Sequence, residues 1–283
     1  LAASWKSAPL CLRATAARTT REALRERLAS EGLATEPTRW SPWALAVTNP
    51  GPLPPTPSYD EGLYEVQDEA SQLVARLVAP PRSAPTVDAC AGAGGNTLAL
   101  CAELGTKGRV VALDISARRL EELKKRAARA QAYNLLVQQL PREGEALPKV
   151  LRELQGRAAR VLVDAPCSGI GALRRKPDVA RRIDSALLAR LPEQQLAIAR
   201  SALRWLRPDG RLVYATCTPF RSENEDVVAQ LVAECGLVAL PLRDWLPAEL
   251  HGLTTDLASP TLRLLPHLHG TDAFTLHVLK RGP

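Results

Sequence analysis

Two cysteines of this chain follow small residues at the ends of apolar, strand-like runs. Cys167 lies in the segment 164–169, which reads DAPCSG, and Cys217 ends the segment 214–217, which reads YATC. A thiolate that adds to carbon 6 of a pyrimidine ring makes carbon 5 able to attack an electrophilic methyl group. A carboxylic acid such as Asp164 can support that addition at ring nitrogen 3, and a second thiol can assist product release. Each cysteine alone is compatible with an inert role, but the two together indicate methyl transfer to a pyrimidine.

A glycine-rich segment follows the first apolar run of the larger part of the chain. Residues 88–97 read DACAGAGGNT, and Asp114 ends the next run, 22 residues after Gly92. Small residues let a backbone approach a ligand closely, and the helix that follows offers free N–H groups. An acidic residue placed like Asp114 can accept both ribose hydroxyls of an adenosine. The pattern fits S-adenosylmethionine or a dinucleotide, although Thr97 stands where a dinucleotide site has its third glycine; a tight turn without a ligand is the alternative.

These residues require a sheet that brings its strand ends together. Apolar runs at 86–90, 109–114, 135–140, 160–164 and 211–217 alternate with helical patterns at 97–104, 116–130, 145–155 and 185–206, and a helix over 223–234 and a strand over 274–279 complete the series. Continuous Val/Leu runs that alternate with helices predict a mostly parallel sheet covered on both faces. The predicted fold class is therefore α/β, a doubly wound, Rossmann-like sheet whose ligands bind at the carboxyl ends of the strands.

The first 57 residues have a different pattern and end in a proline-rich connector. Runs at 10–13 and 40–47 predict strands, and Thr19-Thr20-Arg21-Glu22 has the capping-box spacing that begins a helix, with Gly32 as its end. Five of the 23 prolines lie in residues 49–57. We therefore predict a small N-terminal α+β domain with its linker over 1–57 and a catalytic domain over 58–283.

Composition excludes several classes of protein. With 46% hydrophobic and 24% charged residues the chain is globular, and no apolar run approaches the roughly 18 residues of a membrane span. No two of the six cysteines have C-x-x-C spacing, which predicts no metal site. The sequence also shows no secretion signal, so we predict free thiols in the cytoplasm. The net charge of +7 fits a solvated basic surface or a nucleic-acid partner. The absence of Met predicts a fragment without its natural start.

The motifs, in this order and spacing, resemble those of the RNA 5-methylcytosine methyltransferases, specifically the bacterial ribosomal RNA type related to the NOL1/NOP2/Sun group. The resemblance runs from about residue 10 to residue 280. It is carried by GLYEVQDEAS at 62–71, DAPCSG at 164–169, LRRKPD at 173–178, YATC at 214–217 with ENE at 223–225, and the segment 266–274. It implies a Rossmann-like S-adenosylmethionine methyltransferase fold, and an N-terminal domain that contacts RNA.

The resemblance also implies a role for each matching residue. Cys217 would be the nucleophile in a covalent cysteine–cytosine adduct, Cys167 would assist release, and Asp164 would contact the cytosine. Substrate contacts would come from Gln67, Ser71, Arg175, Pro177 and Asp178. S-adenosylmethionine would be held by Cys90, Ala91, Gly92, Ala93, Gly94, Gly95, Asn96, Asp114, Arg119 and Asp164. The implied partner is RNA, either ribosomal RNA or a ribosomal particle.

Several positions depart from the family pattern. The family's loop usually reads C-A-A-P-G-G-K-T, whereas Ala93 replaces the proline and Asn96 the lysine, which removes a positive charge. Gln138 and Gln139 stand where an acidic residue is usual near the adenine, and the usual D-G-F-F near the C-terminus is DAFT at 272–275. These departures support an alternative, a noncatalytic RNA-binding or ribosome-assembly protein on a methyltransferase scaffold.

Two further alternatives concern the substrate. In DNA cytosine methyltransferases the proline–cysteine thiol attacks, which would make Cys167 the nucleophile; the pair Thr216-Cys217 argues against this. The basic side chains of segment 174–182 could contact phosphates beside the pocket or form a solvated face.

Overall fold

The structure is a computed structural model, and it describes residues 7–48, 51–142 and 145–282. The first residues of the predicted N-terminal domain, 1–6, and residues 49–50 of its linker lie outside this description. The strands are β1 (Cys11–Ala14), β2 (Thr35–Pro37), β3 (Ala44–Val47), β4 (Tyr64–Val66), β5 (Thr86–Asp88), β6 (Val110–Asp114), β7 (Leu135–Gln139), β8 (Ala158–Asp164), β9 (Leu206–Thr216), β10 (Leu237–Ala239), β11 (Thr261–Leu264) and β12 (Phe274–Arg281). The helices are α1 (Arg21–Ser30), α2 (Pro57–Asp60), α3 (Glu69–Val78), α4 (Gly95–Leu104), α5 (Ala117–Arg129), α6 (Lys149–Leu154), α7 (Val179–Arg182), α8 (Ser185–Ala202), α9 (Glu225–Cys235) and α10 (Pro266–His269).

A small antiparallel sheet in the order β2-β3-β1-β4 forms the N-terminal part of the protein. Its core joins Leu12 and Leu45 of the sheet to Leu24 and Leu28 of α1. The helix begins one residue later than the capping box predicted, because the side chain of Thr20, not Thr19, accepts the N–H of Ala23.

The small sheet includes a strand from beyond the predicted domain division. Residues 64–66 form β4, which pairs antiparallel with β1. The prediction of a strand over 40–47 was too long, since only Ala44–Val47 is extended, and β2 was not predicted. We propose that the division between the domains lies after Val66 rather than at residue 57.

A second, larger sheet has the order β10-β12-β9-β8-β5-β6-β7, with β11 paired to β12. The strands β5 to β9 run parallel, and β12 runs antiparallel to β9. Alternating residues face opposite layers: Leu162 packs in one core with α3 and α4, and its neighbours Val161 and Val163 pack in the other core with α6, α8 and α9. The predicted α/β class with a mostly parallel, doubly wound sheet is confirmed.

The differences from the predicted elements are local. The helix α3 was not predicted, although eight of its ten residues are buried. The predicted helix over 185–206 ends at Ala202, and Leu206 already belongs to β9. Across residues 7–48, 51–142 and 145–282, no helix combines the length and apolarity that a bilayer span requires.

Candidate active site

Four neighbouring parallel strands bring the predicted residues to one edge of the large sheet. β5 ends at Asp88, β6 at Asp114, β8 at Asp164 and β9 at Thr216. Because these strands are adjacent and parallel, the loops that leave their carboxyl ends converge. The same edge of the sheet therefore carries the glycine-rich loop, Cys167, Cys217, Asp114 and Asp164. The alternation of strands and helices in the sequence predicted this placement.

The sulfur atoms of Cys167 and Cys217 lie 3.2 Å apart, although 50 residues separate them in the chain. The hydrogen bond between the thiols, burial, and the negative charges of Asp164 and Glu223 raise the pKa of Cys167 well above its usual value. Cys167 therefore keeps its proton at neutral pH and can donate it across the gap.

A fully buried carboxylate fixes the loop that carries Cys167. Glu223 accepts hydrogen bonds from the backbone N–H of Ser168 at 2.8 Å and from Nε2 of Gln195 at 2.9 Å. Gln195 also donates to the carbonyl oxygen of Pro166 at 3.0 Å. Sequence reasoning gave no role to Glu223, which it quoted only as part of a motif. It missed Gln195 entirely, because nothing in the α8 sequence distinguishes this residue from the glutamine before it.

The backbone at Cys217 is held from two sides. Asn224 accepts a hydrogen bond from the hydroxyl of Thr216 at 2.7 Å, and the N–H of Gly171 donates to the carbonyl of Cys217 at 2.9 Å. A Cβ atom at Gly171 would lie 2.3 Å from the carbonyl oxygen of Ala273 and 2.7 Å from that of Cys217. Position 171 therefore requires glycine, a constraint that the sequence did not reveal.

Asp164 ends β8, three residues before Cys167. Burial, followed by the charge of Asp88, raises the pKa of Asp164 to about 7, while a hydrogen bond from Nδ2 of Asn96 at 2.8 Å opposes the rise. Near neutral pH the side chain is thus present both as carboxylate and as carboxylic acid. It can accept a hydrogen bond from a substrate or give up a proton to it.

The raised pKa of Asp164 predicts a pH-dependent gain in stability on substitution. The folded-state pKa of about 7 lies above the usual 3.8, so ionisation of Asp164 opposes folding. The free energy of unfolding therefore has its full value at acid pH, where Asp164 is protonated, and decreases as the pH rises through 7. We expect Asp164→Asn to raise the Tm at pH 8 by at least about 2–4 °C, the shift that 1 kcal/mol produces in a chain of this size. At pH 4 the two proteins should melt nearly together. Thermal unfolding followed by circular dichroism tests this, and an equal gain at both pH values would contradict it.

The glycine-rich loop is closed against Asp114. Its carboxylate accepts the N–H of Gly92 at 2.8 Å and the N–H of Ser116 at 2.7 Å. Gly94 has φ +91°, and a Cβ there would lie 2.1 Å from a methyl carbon of Leu123. The loop is therefore packed directly on α5, which fixes its distance from Asp114.

The residues of this pocket fit S-adenosylmethionine. Two bonds leave lone pairs on the Asp114 oxygens free for ribose hydroxyls. The apolar side chain of Ile115 is 73% exposed beside it and can cover an adenine ring. The amide of Gln139 donates to the carbonyl of Ile115 at 3.0 Å. Gln139, which departs from the family pattern, therefore supports the backbone of Ile115. Burial raises the pKa of Cys90, which stays a thiol, and Arg119 is exposed in the first turn of α5; the cofactor contacts assigned to both remain predictions.

Arg175 has three hydrogen-bond partners within the protein. Its guanidinium donates to the carboxylate of Asp272 at 2.8 Å, to the carboxylate of Asp68 and to the carbonyl of Pro9 at 2.8 Å. With its charge neutralised by two carboxylates, Arg175 ties together the N-terminal segment, the start of α3 and the segment before β12. Its side chain is 23% exposed and two N–H groups remain beyond these three bonds, so the substrate contact of Arg175 remains a prediction.

The other predicted substrate contacts fall into two groups. Pro177 and Asp178 are exposed, and Asp178 pairs with Arg182 at 3.1 Å, so their contact with RNA remains a prediction. Gln67 and Ser71 lie inside the site, where both donate hydrogen bonds to Oδ1 of Asn96 at 3.2 Å. Within the part of the chain that the structure describes, no three His, Cys, Asp or Glu side chains are grouped as a metal ion requires.

Comparison with known protein families gives two adjacent matches. Residues 75–280 match the model described as 16S rRNA methyltransferase RsmB/F, and residues 1–54 match the RsmF/B-like ferredoxin-like domain. The chain is 31% identical over 274 residues to "Probable ribosomal RNA small subunit methyltransferase B" of Bacillus subtilis, covering 95% of this chain and 59% of that protein. It is 32% identical over 224 residues to ribosomal RNA small subunit methyltransferase B of Pasteurella multocida, covering 79% and 50%. The chain thus spans about half to three fifths of these relatives.

Two solved structures share the fold. NSun6 from Pyrococcus horikoshii, determined with SFG, superposes with a TM-score of 0.82 at 18% identity and covers 100% of this chain and 93% of that one. A methyltransferase homolog protein from the same organism superposes with a TM-score of 0.79 at 24% identity, covering 99% and 88%. Both likenesses extend through the small N-terminal sheet and the large sheet.

Proposed function

Because the chain belongs to the RsmB/F family of 16S rRNA methyltransferases, we propose that it methylates carbon 5 of a cytosine in ribosomal RNA. The observation that carries the proposal is the 3.2 Å contact between Cys167 and Cys217, beside Asp164. A cytosine held there meets a nucleophile, a protonated thiol and a carboxyl group that titrates near pH 7. These are the groups that activation of carbon 5 requires.

In the proposed reaction the Cys217 thiolate adds to carbon 6 of the ring. The raised pKa of Asp164 lets this side chain offer a proton or a hydrogen bond at ring nitrogen 3, which draws electron density from carbon 6 during the addition. Asn96 holds Asp164 in place through its bond of 2.8 Å. The adduct is an enamine whose carbon 5 is nucleophilic.

The cofactor of this family is S-adenosylmethionine, and when bound it supplies an electrophilic methyl group. In this chain Asp114 would bind the ribose, and the backbone of Gly92 and its neighbours would lie against the methionine part. NSun6 was determined with SFG, an S-adenosylmethionine analogue, and its fold matches this one. The substituted loop keeps its glycines and its contact with Asp114, which supports retention of cofactor binding.

Release requires transfer of the carbon 5 proton to a base such as a water molecule, return of the nitrogen 3 proton to Asp164, and cleavage of the bond between Cys217 and carbon 6, which leaves Cys217 as a thiolate. The sulfur of Cys167 is 3.2 Å from that of Cys217, so it lies close to any ring that Cys217 holds. We assign Cys167 to cleavage of the sulfur–carbon bond, where its thiol can donate a hydrogen bond to the departing Cys217 sulfur, in agreement with the family resemblance; because its raised pKa keeps it protonated, it is not the base that takes the carbon 5 proton. Glu223 and Gln195 maintain its position by fixing the backbone on either side.

The RNA partner is part of the proposal. The relatives of Bacillus subtilis and Pasteurella multocida are named for the small ribosomal subunit. The target cytosine must be unpaired or flipped to reach two thiols at the end of a sheet. Ribosomal RNA or a ribosomal particle, in the cytoplasm, would provide such a substrate.

Cofactor binding is the first measurement. Removing the carboxylate of Asp114 deletes two hydrogen bonds to ribose, so we expect Asp114→Ala to weaken S-adenosylmethionine binding at least about tenfold by isothermal calorimetry. Asp209→Ala, at an exposed position near the start of β9, serves as the matched control and should bind like the parent chain. Equal affinities in all three proteins would place the cofactor elsewhere.

Methyl transfer is then measured with 16S RNA and tritiated S-adenosylmethionine, and the modified base is identified by bisulfite sequencing. Incorporation into cytosine supports the proposal, and incorporation only into a DNA duplex would transfer the activity to the other substrate class. RNA binding without any transfer, in a protein that binds the cofactor, would favour the noncatalytic assembly role.

A further inference from the structure

A chain of hydrogen bonds runs from the small N-terminal sheet to Asp164. Nε of Arg13 donates to Oε1 of Gln67 at 2.6 Å; Nε2 of Gln67 donates to Oδ1 of Asn96 at 3.2 Å; Nδ2 of Asn96 donates to Asp164 at 2.8 Å. We propose that Asn96 is a positioning residue for Asp164 and that Arg13, through Gln67, sets the orientation of the Asn96 amide. This inference rests on the proposed function for its catalytic meaning, but the network itself concerns the protein alone.

Arg13 is a fixed, buried cation. It is 1% exposed on β1, directly opposite Glu65 of β4. Burial lowers the pKa of Arg13 to about 10, so the guanidinium is still charged at neutral pH. Glu65 pairs with Arg126 and Arg129 of α5, which fastens the small sheet to the catalytic domain. The charge of Glu65 opposes the lowering of the Arg13 pKa and so favours the charged guanidinium.

The direction of every bond follows from this cation. A guanidinium only donates, so Gln67 must turn its oxygen to Arg13 and its NH₂ group to Asn96 and Ser71. Asn96 must then turn its oxygen to Gln67, where the Ser71 hydroxyl also donates to it at 3.2 Å. The only group that Asn96 can present to Asp164 is its NH₂ donor. The orientation of the Asn96 amide is thus determined two residues away along the network, at Arg13.

The arrangement gives Asp164 a donor without giving it a charge. The family usually has a lysine at position 96, and an ammonium group next to a carboxylate would lower the carboxylate's pKa. The neutral amide of Asn96 stabilises the carboxylate less, which agrees with the pKa of Asp164 near 7. A reversed amide would present an oxygen to Asp164 and disfavour the carboxylate further.

Other groups that face Asp164 are the same in every variant compared. Asp88 of β5 raises the pKa of Asp164 through its charge, and Asp164 in turn raises the pKa of Cys90, of Cys167 and of Tyr214 on β9. None of these side chains is altered below. A difference between variants therefore reports the network.

The experiment is a titration of Asp164 in the free protein by ¹³C NMR of labelled aspartate carboxyl groups, with the signal assigned by its loss in Asp164→Asn. Gln67→Glu keeps an acceptor for Arg13 but removes the NH₂ donor to Asn96, so the side-chain amide of Asn96 should reverse and turn its oxygen to Asp164. Gln67→Met removes both hydrogen bonds, so nothing at position 67 orients the Asn96 amide, and it adds no charge. We expect the pKa of Asp164 to rise by about one unit in Gln67→Glu and by less in Gln67→Met. Asn96→Lys should lower it, and Gln230→Glu, on an exposed face of α9, should leave it unchanged.

The outcomes separate the alternatives. A rise in Gln67→Glu without any rise in Gln67→Met would mean that added charge alone acts, which would overturn the orienting role of Gln67 and Arg13. An unchanged pKa in Asn96→Lys would overturn the role of Asn96. Because the titration needs neither cofactor nor RNA, it stands even if the parent chain transfers no methyl group. If it does transfer, the alkaline limb of the pH–rate profile should move with the pKa of Asp164, because Asp164 acts in its protonated form, and a loss of folding stability alone would not produce this shift.

Discussion

Replacing Cys217 with alanine is expected to reduce methyl transfer to RNA by at least about three orders of magnitude, as loss of a covalent nucleophile does in other enzymes. Without this sulfur nothing adds to carbon 6, and carbon 5 of cytosine is too weak a nucleophile to take the methyl group. Cofactor affinity should be unchanged, because the contacts of Asp114 lie on another strand. The assay is tritium incorporation into 16S RNA at saturating S-adenosylmethionine.

Cys235→Ala provides the matched control for this variant. Cys235 is also a free, half-buried thiol, but it ends α9 and lies away from the converging loops. It should retain full transfer. Activity in Cys217→Ala comparable with that of the parent chain would contradict the assignment of the nucleophile, and a covalent protein–RNA adduct that persisted in Cys217→Ala would transfer that role to Cys167.

Replacing Cys167 with alanine is expected to have a different outcome, accumulation of the covalent adduct. Addition by Cys217 can still occur, whereas release is slowed because the thiol next to the Cys217 sulfur is absent. We expect at least about tenfold more RNA-linked protein than in the parent chain, since loss of a positioned acid–base group typically costs 10²–10⁴ in rate. Denaturing electrophoresis with labelled RNA measures the adduct directly.

The double variant Cys167→Ala/Cys217→Ala tests whether the adduct is the one proposed. It should form no linkage, because the sulfur that bonds to carbon 6 is gone. If Cys167→Ala forms no adduct and loses transfer, while Cys217→Ala still links to RNA, the order of the two thiols is that of the DNA enzymes. Both results are read from the same gel.

Much of the architecture could be predicted from the sequence because it depends on local patterns. Alternation of Val/Leu runs with helical segments predicted the parallel sheet, and strand ends predicted where Asp114, Asp164 and Cys217 would meet. The family resemblance rested on motif order and is confirmed by the match over residues 75–280. The misplaced start of α1 and the unassigned β4 show the limit of this approach. The start of α1 depends on one hydrogen bond, which the N–H of Ala23 donates to the side chain of Thr20 and not to that of Thr19. The strand β4 is defined by its pairing with β1 rather than by a pattern in its own three residues.

The sequence by itself determined which chemical groups this protein has and at which edge of the sheet they lie. Only the tertiary structure decided how they interact, because hydrogen bonds and ion pairs depend on distances between residues remote in the chain. The 3.2 Å contact of the two sulfurs joins residues 50 positions apart, and the pKa of Asp164 depends on burial and on Asp88 of another strand. Only folding places Asp68 and Asp272 beside Arg175. In the sequence, Asn96 in place of the family's lysine indicated a loss of function, whereas in the structure its amide donates a hydrogen bond to Asp164.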